Sequence, residues 1–297
     1  MNVVFRNRLL PNLLVKHAPI TPLFLRPRKR PHTTSTTSVH LDIHYERNRP
    51  IPYVQALAMQ RWKQRELFRT QPVVTAHVEE VQEVHCITNV HDGLLLLEHP
   101  SVYTLGRRST LDNLRFDHED EQCPYDLVRV ERGGEVTWHG PGQLVGYPIM
   151  SLARGNRKKD LHWFLRQIEQ VIINVLEEFD LEGVRDEAGT GVWVGDNKVA
   201  AIGLSASKWV TMHGFSLNVA PDFACFEGIV PCGIEGRGVT SLQQQLDRHV
   251  EVDQVAQVLM LHFAQVFQHE KETVHQKTYP ECHGLEPELF TTLPLKR

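Results

Sequence analysis

Cysteine is scarce in this 297-residue chain: Cys86, Cys123, Cys225, Cys232 and Cys282 are odd in number and form no C-x-x-C pair. That excludes a disulfide framework and a four-thiolate zinc site, and it suits a reducing compartment with one thiol kept for chemistry. No apolar run approaches the roughly 20 residues of a bilayer-spanning helix; the best is Leu94 to Leu97. Acidic residues are missing from positions 1–41, which instead hold Arg6, Arg8, Lys16, Arg26, Arg28, Lys29 and Arg30 together with the Ser/Thr cluster Thr33 to Ser38. With 32 Lys+Arg against 36 Asp+Glu in the chain, removing those seven bases leaves 25 against 36, so the remainder carries about −11. A basic, acid-free leader with Leu patches has the composition of an organelle transit peptide; a disordered basic tail or a nucleic-acid arm is the plainer reading of the same residues. An acidic body argues against nucleic acid as the main partner.

Periodicity predicts helices over Tyr53 to Phe68, with Val54, Leu57, Ala58, Trp62 and Arg65 on one side, over Leu161 to Phe179 with Asp160 as N-cap, and over Val255 to Phe267. Strands are expected at Gly93 to Glu98, Val102 to Leu105, Leu127 to Arg132, Leu144 to Leu152, Gly191 to Val194, Val199 to Val210 and Gly214 to Val219. Turn signals fall at Asp92-Gly93, Gly195-Asp196-Asn197 and Met212-His213, Leu111 to Asp126 reads as loop, and residues 70–92 as an irregular strand or insertion. Strands clustered between helices, without regular βαβ alternation, indicate an α/β fold of the mixed α+β kind rather than a doubly wound sheet. The expected organisation is a leader over 1–41, one domain over 42–282 and a tail over 283–297.

Four stretches can carry chemistry. Arg132 to Gln143 has four glycines in a short connection, which lets backbone approach a bound group closely, yet it is neither a Walker loop nor a G-x-G-x-x-G loop, and a plain β-turn with a structural histidine fits it equally. Pro231-Cys232-Gly233 places a thiol on a turn after Ile229-Val230; most lone cysteines are buried and inert, and a nucleophile is the sharper reading. Lys198 opens an apolar strand, where an exposed amine usually only solvates an edge. Beside a thiol, however, it would lower the sulfur pKa and exchange a proton with it. His213, at a strand start, reads first as a structural histidine; with His139 and Cys232 it could also form a three-ligand zinc site, which no local spacing supports.

Taken together and in order, Glu98 to Arg108, Arg132 to Gln143, Lys198 to Gly203, Trp209 to Val219, Ile229 to Ile234 and Gly238 to Leu242 resemble the lipoyl(octanoyl) transferase family over about residues 94–270, with Trp138 where that family more usually has tyrosine. The resemblance implies an α/β catalytic domain shared with biotin and lipoate protein ligases. It also implies transfer of an octanoyl or lipoyl group, the first step of lipoate biosynthesis, from acyl carrier protein to the acceptor lysine of lipoyl domains of 2-oxoacid dehydrogenases and of the glycine-cleavage H protein. It further implies that Cys232 is the nucleophile of a thioester acyl-enzyme and Lys198 its partner. The acyl pocket would be lined by Arg132, Gly133, Gly134, Glu135, Val136, Thr137, Trp138, His139 and Gly140 on one side. Ala201, Ile202, Gly203, His213, Gly214, Phe215 and Ser216 would form the other, with backbone amides stabilising an oxyanion.

No cofactor is expected, because thioester exchange is nearly neutral in free energy and thioester to amide runs downhill. For a family member with such a leader the resemblance implies the mitochondrial matrix, another organelle or the cytoplasm being the alternative. Three other classes remain open: an ATP-dependent lipoate or biotin-type protein ligase, which works through an acyl-adenylate and needs no cysteine; a cysteine hydrolase pairing Cys232 with His213 or His139; and a non-catalytic binder of lipoyl domains.

Overall fold

An eight-stranded mixed sheet carries helices on both faces and a three-stranded sheet beside it. The computed structural model describes residues 39–297 apart from 48, 71–89, 121–124, 187–188, 230–236, 270–273, 277–284, 286, 291 and 293–297. All of them belong to one compact unit, Thr37–Arg297. The strands of the large sheet are β1 (Leu41–Tyr45), β2 (Asp92–Leu97), β6 (Gln143–Ile149), β7 (Val184–Asp186), β8 (Gly189–Val194), β9 (Asn197–Ser207), β10 (Val210–Asn218) and β11 (Val274–Gln276). Their order is β11-β1-β2-β6-β10-β9-β8-β7. β1 is parallel to both β2 and β11, and the remaining pairs are antiparallel. The small sheet has β3 (Val102–Leu105) between β4 (Asp126–Arg129), parallel to it, and β5 (Val136–His139), antiparallel.

The one long apolar run owes its composition to burial on two faces. Leu94 and Leu96 of β2 join Leu144, Phe215 and Leu217 under the helices α2 (Leu161–Glu177) and α4 (Val252–Val266), where Phe164, Ile168, Val171, Leu259 and Phe263 cover them. Leu95 and Leu97 face the opposite way, with Val145, Tyr147 and Ile149, against Leu57, Met59 and Leu67 of α1 (Tyr53–Arg69). Alternate residues of a strand point to opposite faces, so a central strand covered twice must be apolar throughout. Asp160 caps α2 as expected, its carboxylate accepting from the amides of His162 and Trp163, a contact worth about 1 kcal/mol. A short helix, α3 (Leu242–Leu246), precedes α4.

Several expectations are corrected. The glycine-rich connection contains the strand β5. Asp92 is the buried first residue of β2 rather than a turn residue, because its carboxylate accepts from the amide of Ser151 and pairs with Arg157. The β9–β10 hairpin turns at Lys208-Trp209, both at positive φ (47° and 61°), and not at Met212-His213, which lies inside β10; the two-residue turn demands that geometry whatever residues fill it. In α1, Leu57 and Ala58 are buried as expected, but Ala56, Met59, Gln60, Lys63 and Leu67 are buried too, Val54 and Trp62 only partly, and Arg65 is exposed. Lys63 is drawn inward by Asp42, 3.0 Å away. Burial pushes the Asp42 carboxyl up, but its bond to His91 and the Lys63 ammonium outweigh that and hold it below the usual range.

Leu41, counted with the leader, is fully buried in β1. Within the expected tail, Leu289 is buried and its carbonyl accepts from Arg61 of α1. The expected irregular segment lies largely outside the described residues, as does all of the leader before Val39.

Candidate functional site

A cavity of about 290 Å³ opens between β5 with its preceding loop and the middle of β9 and β10. Arg132, Gly133, Gly134, Glu135, Val136, Thr137 and His139 form one wall. Ala201, Ile202 and Gly203 of β9 and His213, Gly214, Phe215 and Ser216 of β10 form the other, with Lys198 at the start of β9. The two walls are laced together: the amide of Gly133 donates to Leu204 O at 3.0 Å, and that of Arg107 to Arg132 O at 3.0 Å. Gly133 N–H is thereby spent and serves no oxyanion. Gly214 is required by contact, since a Cβ there would meet the carbonyl oxygen of Gly146 at 1.9 Å.

Trp138 and Gly140 do not line the cavity. Strand alternation turns Trp138 into the small sheet's own core, where its ring stands 5.2 Å from that of Phe226 and its Nε1 donates to Ser101 Oγ at 2.8 Å. Gly140 leaves room for the same indole, which a Cβ would meet at 2.1 Å.

Polar groups run through the buried floor in one connected series. The Arg132 guanidinium donates to Thr104 Oγ1 from Nη2 at 2.9 Å and to Thr104 O at 2.7 Å. The Thr104 hydroxyl, already an acceptor, is then free to donate to His139 Nε2 at 3.4 Å. His139 Nδ1 donates to Gln143 Oε1 (2.7 Å), Gln143 Nε2 to Asn218 Oδ1 (2.9 Å), and Asn218 Nδ2 to Thr240 O (3.0 Å). Finally, Thr240 N donates to Lys198 O at 2.9 Å. The imidazole tautomer is assigned from this series, because the Gln143 amide nitrogen is committed to Asn218. Burial above all pushes the His139 pKa down to about 3. His99, behind it, falls to about 4 for the same reason, with Nδ1 on Ile51 O and Nε2 on the Tyr147 hydroxyl. Tyr53, stacked on His139 at 6.0 Å, is raised to about 12 by burial.

His213 is different. It is 1% exposed and held at φ 59°, and neither ring nitrogen makes a hydrogen bond to a described residue. Its Nε2 lies 3.6 Å from Glu131 Oε2. Burial lowers its pKa despite that carboxylate. The imidazole, together with the backbone amide of Glu131 and the Arg61 guanidinium, holds Glu131 at about 2 against the opposing effect of burial. A buried imidazole on left-handed backbone, with Glu131 beyond hydrogen-bond distance as its near polar neighbour among the described residues, marks a place where the fold tolerates strain and an imperfectly met bond.

Lys198 is buried with its Nζ over the Trp193 ring at 4.9 Å; Arg237 covers the same ring at 4.5 Å. Cys232 lies outside the described residues, but Phe226 and Val239, on either side of its segment, both line the cavity. Cys225 is a partly buried free thiol whose pKa is raised by burial and by Asp222. Sequence reasoning missed Tyr53, Thr104 and Tyr147 as site or floor residues, and gave Gln143 and Asn218, within the stretches it singled out, no role of their own. A buried aliphatic hydroxyl in the strand Val102–Leu105 was the signal for Thr104; Tyr53, opening a helix, carries none.

With this geometry in hand, the chain can be set beside known proteins. A model of the lipoyl protein ligase A/B catalytic domain matches residues 52–264. An octanoyltransferase of a Nostoc species is 52% identical over 60% of this chain and 79% of its own length. One of Nostoc punctiforme is 58% identical over 52% of this chain and 66% of its own. A chloroplastic octanoyltransferase of Arabidopsis thaliana is 48% identical over 62% and 70%. The fold is similar to that of lipoate-protein ligase A bound with ATP, with a TM-score of 0.61 at 15% identity over 86% of this chain and 94% of that one. A putative lipoate protein ligase of T. acidophilum with bound lipoic acid gives 0.60 at 14% identity over 86% and 93%.

Proposed function

The chain belongs to the lipoyl protein ligase A/B catalytic-domain family, and from that premise we infer that it is an octanoyltransferase of lipoate biosynthesis working through a cysteine thioester. The donor is octanoyl acyl carrier protein. The acceptors are a lysine of lipoyl domains and the matching lysine of the glycine-cleavage H protein. What carries the reading is convergence: both expected walls and Lys198 meet on one cavity, and residues on either side of the segment bearing Cys232 line it. In the first half-reaction the Cys232 thiolate attacks the donor's thioester carbonyl and the donor thiol leaves. In the second, the acceptor amine attacks the acyl-enzyme, an amide forms, the amine loses its proton and the Cys232 thiolate is released. Lys198 supplies positive charge to the thiolate and moves protons. His213 offers the substrate a cavity-lining imidazole whose Nε2 is 3.6 Å from Glu131 and whose Nδ1 makes no hydrogen bond to a described residue. Cys225 is a poor alternative nucleophile, since burial disfavours its thiolate.

The test is intact-protein mass after incubation with octanoyl carrier protein and no ATP. A single octanoyl gain that disappears on adding a lipoyl domain is expected; Cys232→Ser abolishes it, and Lys198→Ala loses most of the transfer. An adduct that survives in Cys232→Ser moves the nucleophile elsewhere, and transfer only with ATP supports the ligase reading.

Docking of an acidic carrier to a body of about −11 calls for a local basic patch. Arg107 and Arg108 are exposed, and Arg108 lines the cavity. In the second basic cluster, Arg154, Arg157, Lys158 and Lys159, the two arginines are committed to Val90 O, Thr70 and Asp92, and the two lysines are exposed. Reversing Arg107 and Arg108 to Glu should slow acylation by the carrier-bound donor more than by a small octanoyl thioester. The leader is read as an organelle address. Cyanobacterial and chloroplastic relatives favour a plastid over the mitochondrial matrix expected from the leader. A reporter fused to residues 1–40 distinguishes the two.

A further inference from the structure

Away from the cavity, three imidazoles meet at the edge of the large sheet. His40 directly precedes β1, His91 directly precedes β2, and His275 is the middle residue of β11. The pairing brings them together. Leu41 stands opposite Asp92, so His40 and His91 are neighbours in register, and His275 stands opposite Asp42. The three rings stack with centroids 4.8, 5.0 and 5.2 Å apart. One nitrogen from each lies within 4.8 Å of the others. None of the three lines the cavity.

We propose that His40, His91 and His275 form a binding site for a divalent transition-metal ion of the kind imidazole prefers, zinc foremost. Three observations carry it together. The first is the convergence of nitrogens from three separate strands, which no local sequence spacing produces. The second is the partly buried setting, which shields the rings without sealing them from solvent. The third is Asp42: its Oδ1 accepts from His91 Nδ1 at 2.7 Å, which puts the His91 proton on Nδ1 and leaves the Nε2 lone pair for a metal. A carboxylate behind a ligating histidine is the usual way in which a metal site fixes tautomer and ring orientation. Between His40 Nδ1 and His275 Nε2, 2.9 Å apart, one proton is shared. Ligation moves this proton to the other nitrogen of its ring. A tetrahedral zinc with bonds of about 2.0–2.1 Å spaces its nitrogens by about 3.3 Å, so side-chain rotations of about an ångström bring the set to ligating distance. Water fills the fourth position.

The site would tie down a short edge strand of the sheet. β11 has three residues and pairs only with β1, whereas a metal joins it to the chain entering both β1 and β2. Binding to the folded state alone raises its stability by mass action.

The experiment uses the full chain without a histidine tag, stripped with chelator. Titration with Zn²⁺ should give one site of micromolar or tighter affinity, and Co²⁺ should give the intense visible absorption of a four-coordinate complex. Zinc at a hundredfold excess over Kd should raise Tm by roughly 5–10 °C. His275→Gln should weaken binding at least tenfold and cut the Tm response at the same zinc concentration by about half or more, while leaving octanoyl transfer without added zinc unchanged. The triple variant H40Q/H91Q/H275Q should abolish the site. His249→Gln, at an exposed histidine, should bind as the parent does. Unchanged affinity in His275→Gln, equal weakening in His249→Gln, or no binding tighter than 100 µM in the parent would overturn the proposal.

Discussion

Two groups of three histidines occupy this molecule under opposite conditions. His139 and His213 line the cavity and His99 packs behind them, all almost fully buried, whereas His40, His91 and His275 stand partly buried at the sheet edge with their nitrogens turned on one another. In the first group burial suppresses the proton. His99 and His139 are neutral through most of the accessible pH range, and their nitrogens are fixed as one donor and one acceptor each by oxygen partners. Such rings position and polarise; they do not gather around a cation. In the second group Asp42 stands behind His91, and His40 and His275 face one another. Burial and the identity of the hydrogen-bond partner, rather than residue type, decide which work an imidazole is set to do.

The largest effect expected from breaking this contrast is at His139. His139→Ala empties the space between Thr104 and Gln143 and leaves both polar groups short of a partner, costing about 2–4 kcal/mol by urea denaturation. It should also slow octanoyl transfer on the order of 10²-fold, as misplaced substrate contacts do. His91→Ala, at the edge, should leave the transfer rate at the parental value; an equal loss there would mean the two groups are not independent.

A second effect is set by pH. The folded pKa values of His99 (about 4) and His139 (about 3) lie below the ordinary 6.5, so the unfolded chain takes up their protons first. Stability is then complete above pH 6.5 and falls as pH drops, by about 1.4 kcal/mol per unit for each histidine, until the folded rings themselves protonate. Glu131, lowered from 4.5 to about 2, contributes only below its ordinary value. The window from 6.5 down to 5 therefore isolates the histidines. Urea midpoints at those two pH values should separate for the parent and draw together in His99→Gln; an unaltered separation would sink the assignment.

The smallest effect is at Thr104. Replacing it with Val keeps the shape but removes the hydroxyl between Arg132 and His139, for a cost of about 1–2 kcal/mol. The acyl-transfer rate should fall by less than in His139→Ala, and the reverse order would relocate the key contact.

The cavity walls were legible through the family resemblance, since the glycine-rich stretch alone fits a plain β-turn equally, and the helices because apolar residues recur at three and four. The exclusion of Trp138 was not, since only the register of β5 on β3 decides which face a residue takes, and a shift of one position reverses it. Nor was β1: Leu41 to Tyr45 abuts the basic leader and holds Asp42 and His44, so its apolar pattern is broken. Lys63 read as polar surface because its partner Asp42 is 21 positions away in sequence. The edge histidines belong to the same class. His40 and His275 are 235 residues apart, and nothing local tells either that the other exists.

The floor series from Arg132 to Lys198 has a sense as well as a path. Each link donates forward: guanidinium to hydroxyl, hydroxyl to imidazole, imidazole to amide, amide to amide, amide to carbonyl, and a backbone amide to the carbonyl of Lys198. Dipoles lined up head to tail polarise one another, and here they do so from Arg132 to Asn218; at Thr240 the row passes from one peptide group to the next. Arg132 therefore acts as the anchor of a polarity that ends on the strand of Lys198. Arg132 lines the cavity and Thr240 follows the segment that bears Cys232, so the row joins the glycine-rich wall to the chain leaving that segment.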